Sequence, residues 1–155
     1  SQGDSRYRRT MYTFFWRSSP YPLMPTFDAP GATTACTRRS RSNTPLQALM
    51  LANDRAFFEF AQGLASEIIK ADISQDEQRL VYAFRRSLSR IPSEQGMKRL
   101  QDFFELQREH FKSTPADAAL VAPTDRPDDF PLEDAAAWTA VSRVLFNLDE
   151  FITRE

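Results

Sequence analysis

With 155 residues, the chain is long enough for one domain with a core and too short for two comfortable ones. Hydrophobic residues make up 41% and charged residues 26%, a globular composition that excludes wholesale disorder. Cys36 is the only cysteine, which excludes an internal disulfide and a CxxCH haem-attachment motif. No apolar run reaches the roughly 18 residues that a membrane span needs, and the first residues do not resemble a signal peptide.

The net charge of −1 is unevenly distributed along the chain. Residues 1–44 hold seven arginines and two aspartates, 7 − 2 = +5, whereas residues 45–155 hold 13 basic and 19 acidic residues, 13 − 19 = −6. Such a split fits an anionic partner for the basic part, or two parts of one domain that face each other. Nucleic acid is not expected as a partner, because nucleic-acid-binding domains carry a much stronger basic excess along one face.

Apolar periodicity predicts an all-α fold for residues 1–155, a single domain built as an irregular bundle of about five helices with one long ordered loop. The first helix, over residues 7–18, is apolar on nearly every side, which is typical of a buried helix. Since so short a chain offers little to bury it, we expect a partner for this helix in another chain or in a preceding part of the polypeptide.

The later helices have clear start signals. Asn43-Thr44-Pro45 combines a capping residue with a proline suited to the first helical position. The apolar stripe that follows predicts one helix over residues 45–71, or two helices, 45–52 and 55–71, if Asp54 caps the second. Further helices are predicted from Ser74, with a capping box to Glu77, and from Ser93. The last helices are expected over residues 114–122 and 132–153, with a polar connector at 123–131.

The loop before the second helix is unusual, because about 25 residues rich in proline and threonine show no periodicity. Loops of that length within compact domains are uncommon and are mostly functional or disordered. Tyr21, Leu23, Met24 and Phe27 are suitable anchors, so we expect the central part, residues 26–44, to be ordered.

Three arginines of this loop, Arg38, Arg39 and Arg41, precede the second helix. Guanidinium groups beside free helix N–H groups form a natural anion site. The alternative is internal pairing with Asp28 or Asp54. Asn53 lies on the apolar stripe beside Asp54, and a buried polar pair there is predicted to clamp the loop to the helix.

Residues with catalytic potential are few. Asp28 and Asp54 would be the carboxyl pair of a glycosidase-type hydrolase if they shared one cleft. Cys36 and His110, the only histidine, are far apart in sequence, and neither is assigned a catalytic or metal-binding role. We therefore identify no catalytic residue and no metal ligand, and we expect no cofactor in this chain.

A set of aromatic residues near the start of the chain forms a candidate interaction surface: Tyr12, Phe15, Trp16 and Tyr21. Aromatic rings at these positions suit packing against another domain, or stacking on sugar rings.

Three segments resemble a known family: RRTMYTFFWRSSPYPLMPTFDAP (residues 8–30), ACTRRSRSNTPLQALMLAND (35–54) and the tail AAAWTAVSRVLFNLDEFITRE (135–155). They are similar to the C-terminal domain of unknown function, of the DUF1553 type, in large planctomycete and verrucomicrobial proteins. Cys36, Arg38 and Arg39 match the Cys-Thr-x-Arg-Arg pattern of that family in part, because Arg38 follows Thr37 directly. The resemblance implies an exported, extracytoplasmic or periplasmic protein in which this domain is the C-terminal part and follows a c-type cytochrome domain.

Three functions follow as hypotheses. The first is a non-catalytic helical module that packs against or positions other domains of the same polypeptide, or another subunit. The second is binding of carbohydrate or another anionic ligand, such as an anionic polysaccharide, by the arginine loop and the aromatic residues. The third is a carboxylate-based hydrolase.

Overall fold

The computed structural model describes residues 7, 10–12, 14–16, 18–31, 35–38 and 42–153, and these contain helices and no β-strand. The eight α-helices in this part of the chain are α1 (Leu23–Thr26), α2 (Pro45–Asn53), α3 (Arg55–Lys70), α4 (Asp76–Leu88), α5 (Glu94–Ser113), α6 (Pro115–Val121), α7 (Leu132–Phe146) and α8 (Asp149–Ile152). The all-α prediction is confirmed. The expected count of about five is too low, because Asp54 separates α2 from α3 and periodicity does not detect single-turn helices such as α1 and α8.

Helix α7 lies at the centre of the fold. It packs against α3, α5 and α6, and it also contacts α2, α4 and α8. Most of its residues are buried: Ala135, Ala136, Ala137, Trp138, Thr139, Val141, Ser142 and Leu145. The Trp138 ring packs against Phe104 of α5 with ring centroids 4.4 Å apart. The remainder of the core comes from the inward faces of α3, α4 and α5, including Ile68, Leu80 and Phe84.

Two of the predicted helix starts are confirmed in detail. The Asp54 carboxylate accepts a hydrogen bond from the Ala56 backbone N–H (2.8 Å) and so begins α3, which supports the two-helix alternative. The Ser93 hydroxyl accepts from the Gly96 N–H (3.1 Å) at the start of α5. The capping box predicted at Ser74 is wrong, because α4 begins at Asp76 and its N-terminal flanking residue, Gln75, makes no capping hydrogen bond through its side chain.

The helix predicted over residues 7–18 is wrong for the part of that range that the structure describes. Residues Thr10–Tyr12 form one 3-10 turn, and residues 14–16 are irregular. Aromatic side chains lose rotamer freedom in a helix, and a short helix is marginal unless it packs against a partner. The aromatic residues of this segment lie at the surface instead, so the stabilisation from packing is missing.

The last predicted helix is divided in two. Helix α7 ends at Phe146, and the Asn147 N–H donates to the carbonyl of Val144 (3.1 Å) rather than continuing the α-helical pattern. Helix α8 then begins at Asp149, and its Phe151 ring stacks on Phe146 with centroids 4.8 Å apart. The break therefore turns the chain back onto the end of α7.

One arginine joins three helices at the other end of the bundle. Arg108 of α5 donates to Asp134 of α7 (Nε to Oδ1, 2.8 Å) and to Asp76 of α4 (Nη2 to Oδ2, 2.6 Å). It also pairs with Glu105 (3.0 Å), and its guanidinium lies 4.5 Å from the Phe104 ring centroid. Burial raises the pKa of the Asp134 carboxyl, against the lowering effect of the Arg108 charge.

We predict that Arg108→Ala lowers the free energy of unfolding by about 2 kcal/mol, because it removes the cation that Asp134 and Glu105 bind and leaves Asp76 with its longer contact to Arg79 (3.7 Å). Urea denaturation at neutral pH measures the loss. Arg99→Ala, at an exposed position on the same helix, is the control and should change the free energy by less than about 0.5 kcal/mol. Equal effects of the two substitutions would contradict a structural role for the Arg108 network.

Two aspartates should affect the pH dependence of stability in opposite directions. The hydrogen bond from Lys70 Nζ (2.7 Å) holds the pKa of Asp125 below its ordinary value of 3.8, so its stabilising contribution is present above that value and is lost as pH falls. The pKa of Asp134 is raised, so its contribution to stability is present at low pH and is lost as pH rises.

Thermal unfolding between neutral and acidic pH should show that the difference in melting temperature between the unsubstituted chain and Asp125→Asn becomes smaller as pH falls. By contrast, the unsubstituted chain should become more stable relative to Asp134→Asn as pH falls over the same range. Parallel curves for the two variants would contradict this assignment.

Candidate interaction site

The ends of the long loop are held together by Asp28 and Ser42. The Asp28 carboxylate accepts hydrogen bonds from the Ser42 backbone N–H (2.7 Å) and from its hydroxyl (2.8 Å). Asp28 has a φ of 56°, in the left-handed region that Asn and Asp tolerate better than most residues. Residues 28 and 42 are therefore joined across the loop. The prediction of one long irregular loop is inexact, because the single-turn helix α1 lies within it.

The buried side chain of Gln47 links this closed loop to the start of α2. Its Nε2 donates to the carbonyl of Thr26 (2.8 Å) and to the Ser42 hydroxyl (3.0 Å), and its Oε1 accepts from the Thr44 N–H (3.0 Å). The Thr44 hydroxyl in turn accepts from the Gln47 N–H (3.3 Å), which completes a capping box. Sequence analysis missed Gln47, although its spacing of three residues from Thr44 is the signal of that motif.

Asn53 and Asp54 do not clamp the loop, contrary to the prediction. Asn53 is exposed and its Nδ2 donates to the carbonyl of Leu49, one turn earlier (2.9 Å). Asp54 caps α3. The prediction treated residues 45–71 as one helix with a single apolar face. Because the chain breaks between α2 and α3 at Asp54, residues on either side of the break no longer share that face.

The arginines of the loop are only partly described. Arg38 is exposed, and its carbonyl accepts a hydrogen bond from the Cys36 thiol (3.3 Å). Arg39 and Arg41 lie outside the described residues. The anion site of Arg38, Arg39 and Arg41 therefore stays a prediction.

Asp28 and Asp54 are each engaged in local structure. Asp28 binds Ser42 across the loop, and Asp54 binds the first backbone N–H groups of α3. Each carboxylate is thus occupied by backbone donors of a different element. This geometry gives no support to the two as an acid–base pair.

The aromatic residues predicted as an interaction surface lie largely at the surface. Tyr12, Trp16 and Tyr21 are exposed and Phe15 is half-buried. Met11 and Phe14, which the prediction did not include, are the most exposed of the segment at 70% and 73%. The Phe14 and Trp16 rings meet edge to face with centroids 5.4 Å apart. We refer to Met11, Tyr12, Phe14 and Trp16 as the aromatic segment.

A groove of about 480 Å³ lies between α3, α4 and the C-terminal helices. We call it the α3–α8 groove. Its apolar walls are Phe60 and Leu64 of α3 with Phe146 and Phe151, and the Glu67–Arg86 ion pair (3.0 Å) lies on its rim. Sequence analysis did not predict this groove, because its walls come from three elements whose relative placement no local pattern encodes.

Tyr7 occupies one edge of this groove. Its hydroxyl donates to the Glu59 carboxylate (2.6 Å), and its ring lies 5.8 Å from the Phe60 ring. The groove thus already binds an aromatic side chain from the beginning of the chain.

Helix α8 connects the groove with the loop junction. The Asn43 amide donates to Asp149, and Arg90 pairs with Glu150 through two hydrogen bonds, one of them 2.7 Å from Nε to Oε2. The hydrogen bonds from Arg90 lower the pKa of Glu150. The start of α2, the end of α4 and the C-terminal helix are therefore joined by polar contacts around one end of the molecule.

We predict that Gln47→Leu lowers the free energy of unfolding by about 2 kcal/mol, because it leaves the Thr26 carbonyl and the Thr44 N–H without their partner in a buried site. Chemical denaturation measures the change. Asn53→Ala, which removes an exposed amide from the same helix, is the matched control and should cost less than about 0.5 kcal/mol. A Gln47→Leu variant as stable as that control would show that the clamp contributes nothing.

Within the described part of the chain, no helix is both long and apolar enough to cross a membrane. Among the same residues, no group of three or more His, Cys, Asp or Glu side chains is placed to hold a metal ion.

Comparison with known proteins gives one match. No curated protein and no solved structure is significantly similar to the chain. The model of a family described as PSD1, protein of unknown function (DUF1553), matches residues 1–104, which include the long loop, α2, α3 and α4. The match ends within α5 and does not reach residues 135–155, so the resemblance of this tail to the family stays a prediction. Since it covers two thirds of the sequence, the chain belongs to the DUF1553 family.

Proposed function

We propose that this chain is a non-catalytic helical module that packs against, or positions, other domains of its polypeptide or another subunit, and that the aromatic segment is its contact surface. The observation that carries the proposal is the exposure of this segment: Met11 70%, Tyr12 63%, Phe14 73% and Trp16 62%. Four large apolar side chains within six residues are a concentration that soluble proteins mostly reserve for interaction sites.

The type of residue supports a protein contact. Aromatic residues and Met are enriched in the buried centre of protein interfaces, where Trp and Tyr contribute most of the binding free energy. The edge-to-face contact between Phe14 and Trp16 holds two of these rings in a fixed relation before any partner arrives. A partner would therefore bind a partly preorganised surface, which reduces the entropy lost on association.

The residues with catalytic potential support the non-catalytic part of the proposal. Asp28 and Asp54 accept backbone hydrogen bonds in separate elements. The Cys36 thiol donates to a neighbouring carbonyl, and His110 lies exposed on α5 with its ring 5.2 Å from Phe111. Each of these contacts joins one of the four groups to a backbone or ring neighbour, and none of them joins two of the four groups to each other.

The setting of the module follows from the family resemblance as part of the same proposal. The complete protein is exported, extracytoplasmic or periplasmic, is of planctomycete type, and carries a c-type cytochrome domain. The haem belongs to that other domain, because the present sequence has no CxxCH motif. In this arrangement the module contacts and positions the other domains, and the redox chemistry takes place in the cytochrome domain.

The two tryptophans allow a direct test, because Trp138 is fully buried and Trp16 is 62% exposed. In Trp138→Phe, Trp16 is the only tryptophan of this chain, and acrylamide should quench it strongly at a dilution at which the chain is monomeric. In the complete gene product, the signal of Trp16 is obtained as the difference in emission between the protein with Trp138→Phe and the same protein with Trp16→Phe added, which removes the signal of tryptophans in other domains. We expect this difference emission to be blue-shifted and several-fold less quenched, because the partner domain covers the ring.

In this chain, Trp16→Phe leaves only the buried Trp138 and is the matched control, which should be poorly quenched. Equal quenching of Trp16 in the two contexts would exclude a packing role for the aromatic segment. Shielding of Trp16 in this chain by sulfated or uronic-acid glycans, weakened by salt, would instead favour the carbohydrate-binding alternative.

A further inference from the structure

We propose that the α3–α8 groove is the docking site for the aromatic segment of a second copy of this chain, so that two copies form a closed dimer. The inference rests on the proposed function, in which the aromatic segment is a contact surface, and it names the partner and the site that receive it. Four observations support it: the walls of the groove, the glycine in its floor, the tyrosine already bound at its edge, and the distribution of charge.

The groove has the size and lining of a binding site. Its volume of about 480 Å³ lies within the range of roughly 300–1,000 Å³ that is typical of pockets binding compact ligands. Phe60, Leu64, Phe146 and Phe151 give it apolar walls, and Phe60 is itself exposed. Space of this kind is sufficient for one or two aromatic side chains in addition to Tyr7.

Gly63 forms an open part of the floor. Glycine in the interior of a 16-residue helix is unfavourable relative to alanine, and no packing contact within the described part of the chain requires it at this position. A Cβ at residue 63 would meet no atom of the described residues within 4 Å. The missing side chain therefore leaves room for close approach by another molecule.

Tyr7 shows what this groove accepts. Its ring lies against Phe60 and its hydroxyl donates to Glu59. An aromatic ring with a polar edge is therefore compatible with both the wall and the rim. Tyr12 and Trp16 of the aromatic segment have this same chemistry, and Phe14 matches the purely apolar part of the wall.

Charge and symmetry favour a second copy as the source of these rings. Residues 1–44, which contain the aromatic segment, carry +5, and residues 45–155, which form the groove, carry −6. In the fold of one chain the segment remains exposed instead of filling the groove. Reciprocal insertion places each basic part on the acidic part of the other copy, and the two identical contacts close the assembly.

Substitution of Gly63 gives a sharp test, because a side chain there fills the groove without disturbing the monomer. Sedimentation equilibrium of the chain over a range of concentrations should show a monomer–dimer equilibrium. Gly63→Gln should weaken dimerisation by about tenfold or more, the effect of losing one well-packed contact at an interface. Gly63→Ala, which adds only a methyl group, is the matched control and should dimerise more strongly than Gly63→Gln.

Both glycine variants should unfold at a temperature equal to or above that of the unsubstituted chain, because glycine is the poorer helix former. A double variant with Phe14→Ser and Trp16→Ser, which changes the aromatic segment and leaves the groove intact, should abolish the dimer. A chain that is monomeric at all concentrations, or a dimer unaffected by Gly63→Gln, would overturn the inference. The monomeric outcome combined with shielding of Trp16 in the complete protein would leave the proposed function intact, so the two failures are distinguishable.

Discussion

The structure depends on the burial of α7 among six other helices. A helix buried by several neighbours requires side chains that are small enough for close approach and hydrogen-bond partners for most of its polar groups; among the described residues the Trp138 Nε1 is an exception, buried without a partner. Ala135, Ala136 and Ala137 meet the first requirement, and Thr139 and Ser142 meet the second by donating their hydroxyls to carbonyls one turn earlier (3.2 and 2.8 Å). The tilt and spacing of α3, α5 and α6 follow from this central helix.

The loop and the terminal helices are held to this core mainly by polar contacts. Gln47 fixes the loop ends to α2, and Arg143 of α7 donates to the carbonyl of Ala52 at the other end of that helix (2.6 Å). Asp149 and Glu150 then bind Asn43 and Arg90. Hydrogen bonds thus hold the described ends of the loop, while the aromatic segment before it is exposed.

Local signals in the sequence identify helix ends well and spatial relations poorly. Pro45, Asp54 and Ser93 act through residues within four positions, so their roles are readable from the chain. The apolar pattern of residues 7–18 predicts a helix that a partner outside this chain would bury; the helix is wrong for the described part, and the partner stays a proposal. The groove walls and the Arg108 network join elements far apart in sequence. Only the three-dimensional arrangement reveals them.

The place of α7 in the order of synthesis has a consequence for how the chain acquires its structure. Residues 132–146 emerge from the ribosome after α2 to α6, so the earlier helices are made before the element on which they pack. Isolated helices of their length are marginal in water, and their apolar faces stay accessible during that interval. Stable structure is therefore expected to arise cooperatively and late, when α7 becomes available. Until then the nascent chain presents more apolar surface than the finished protein, which makes it a natural client for chaperones during translation.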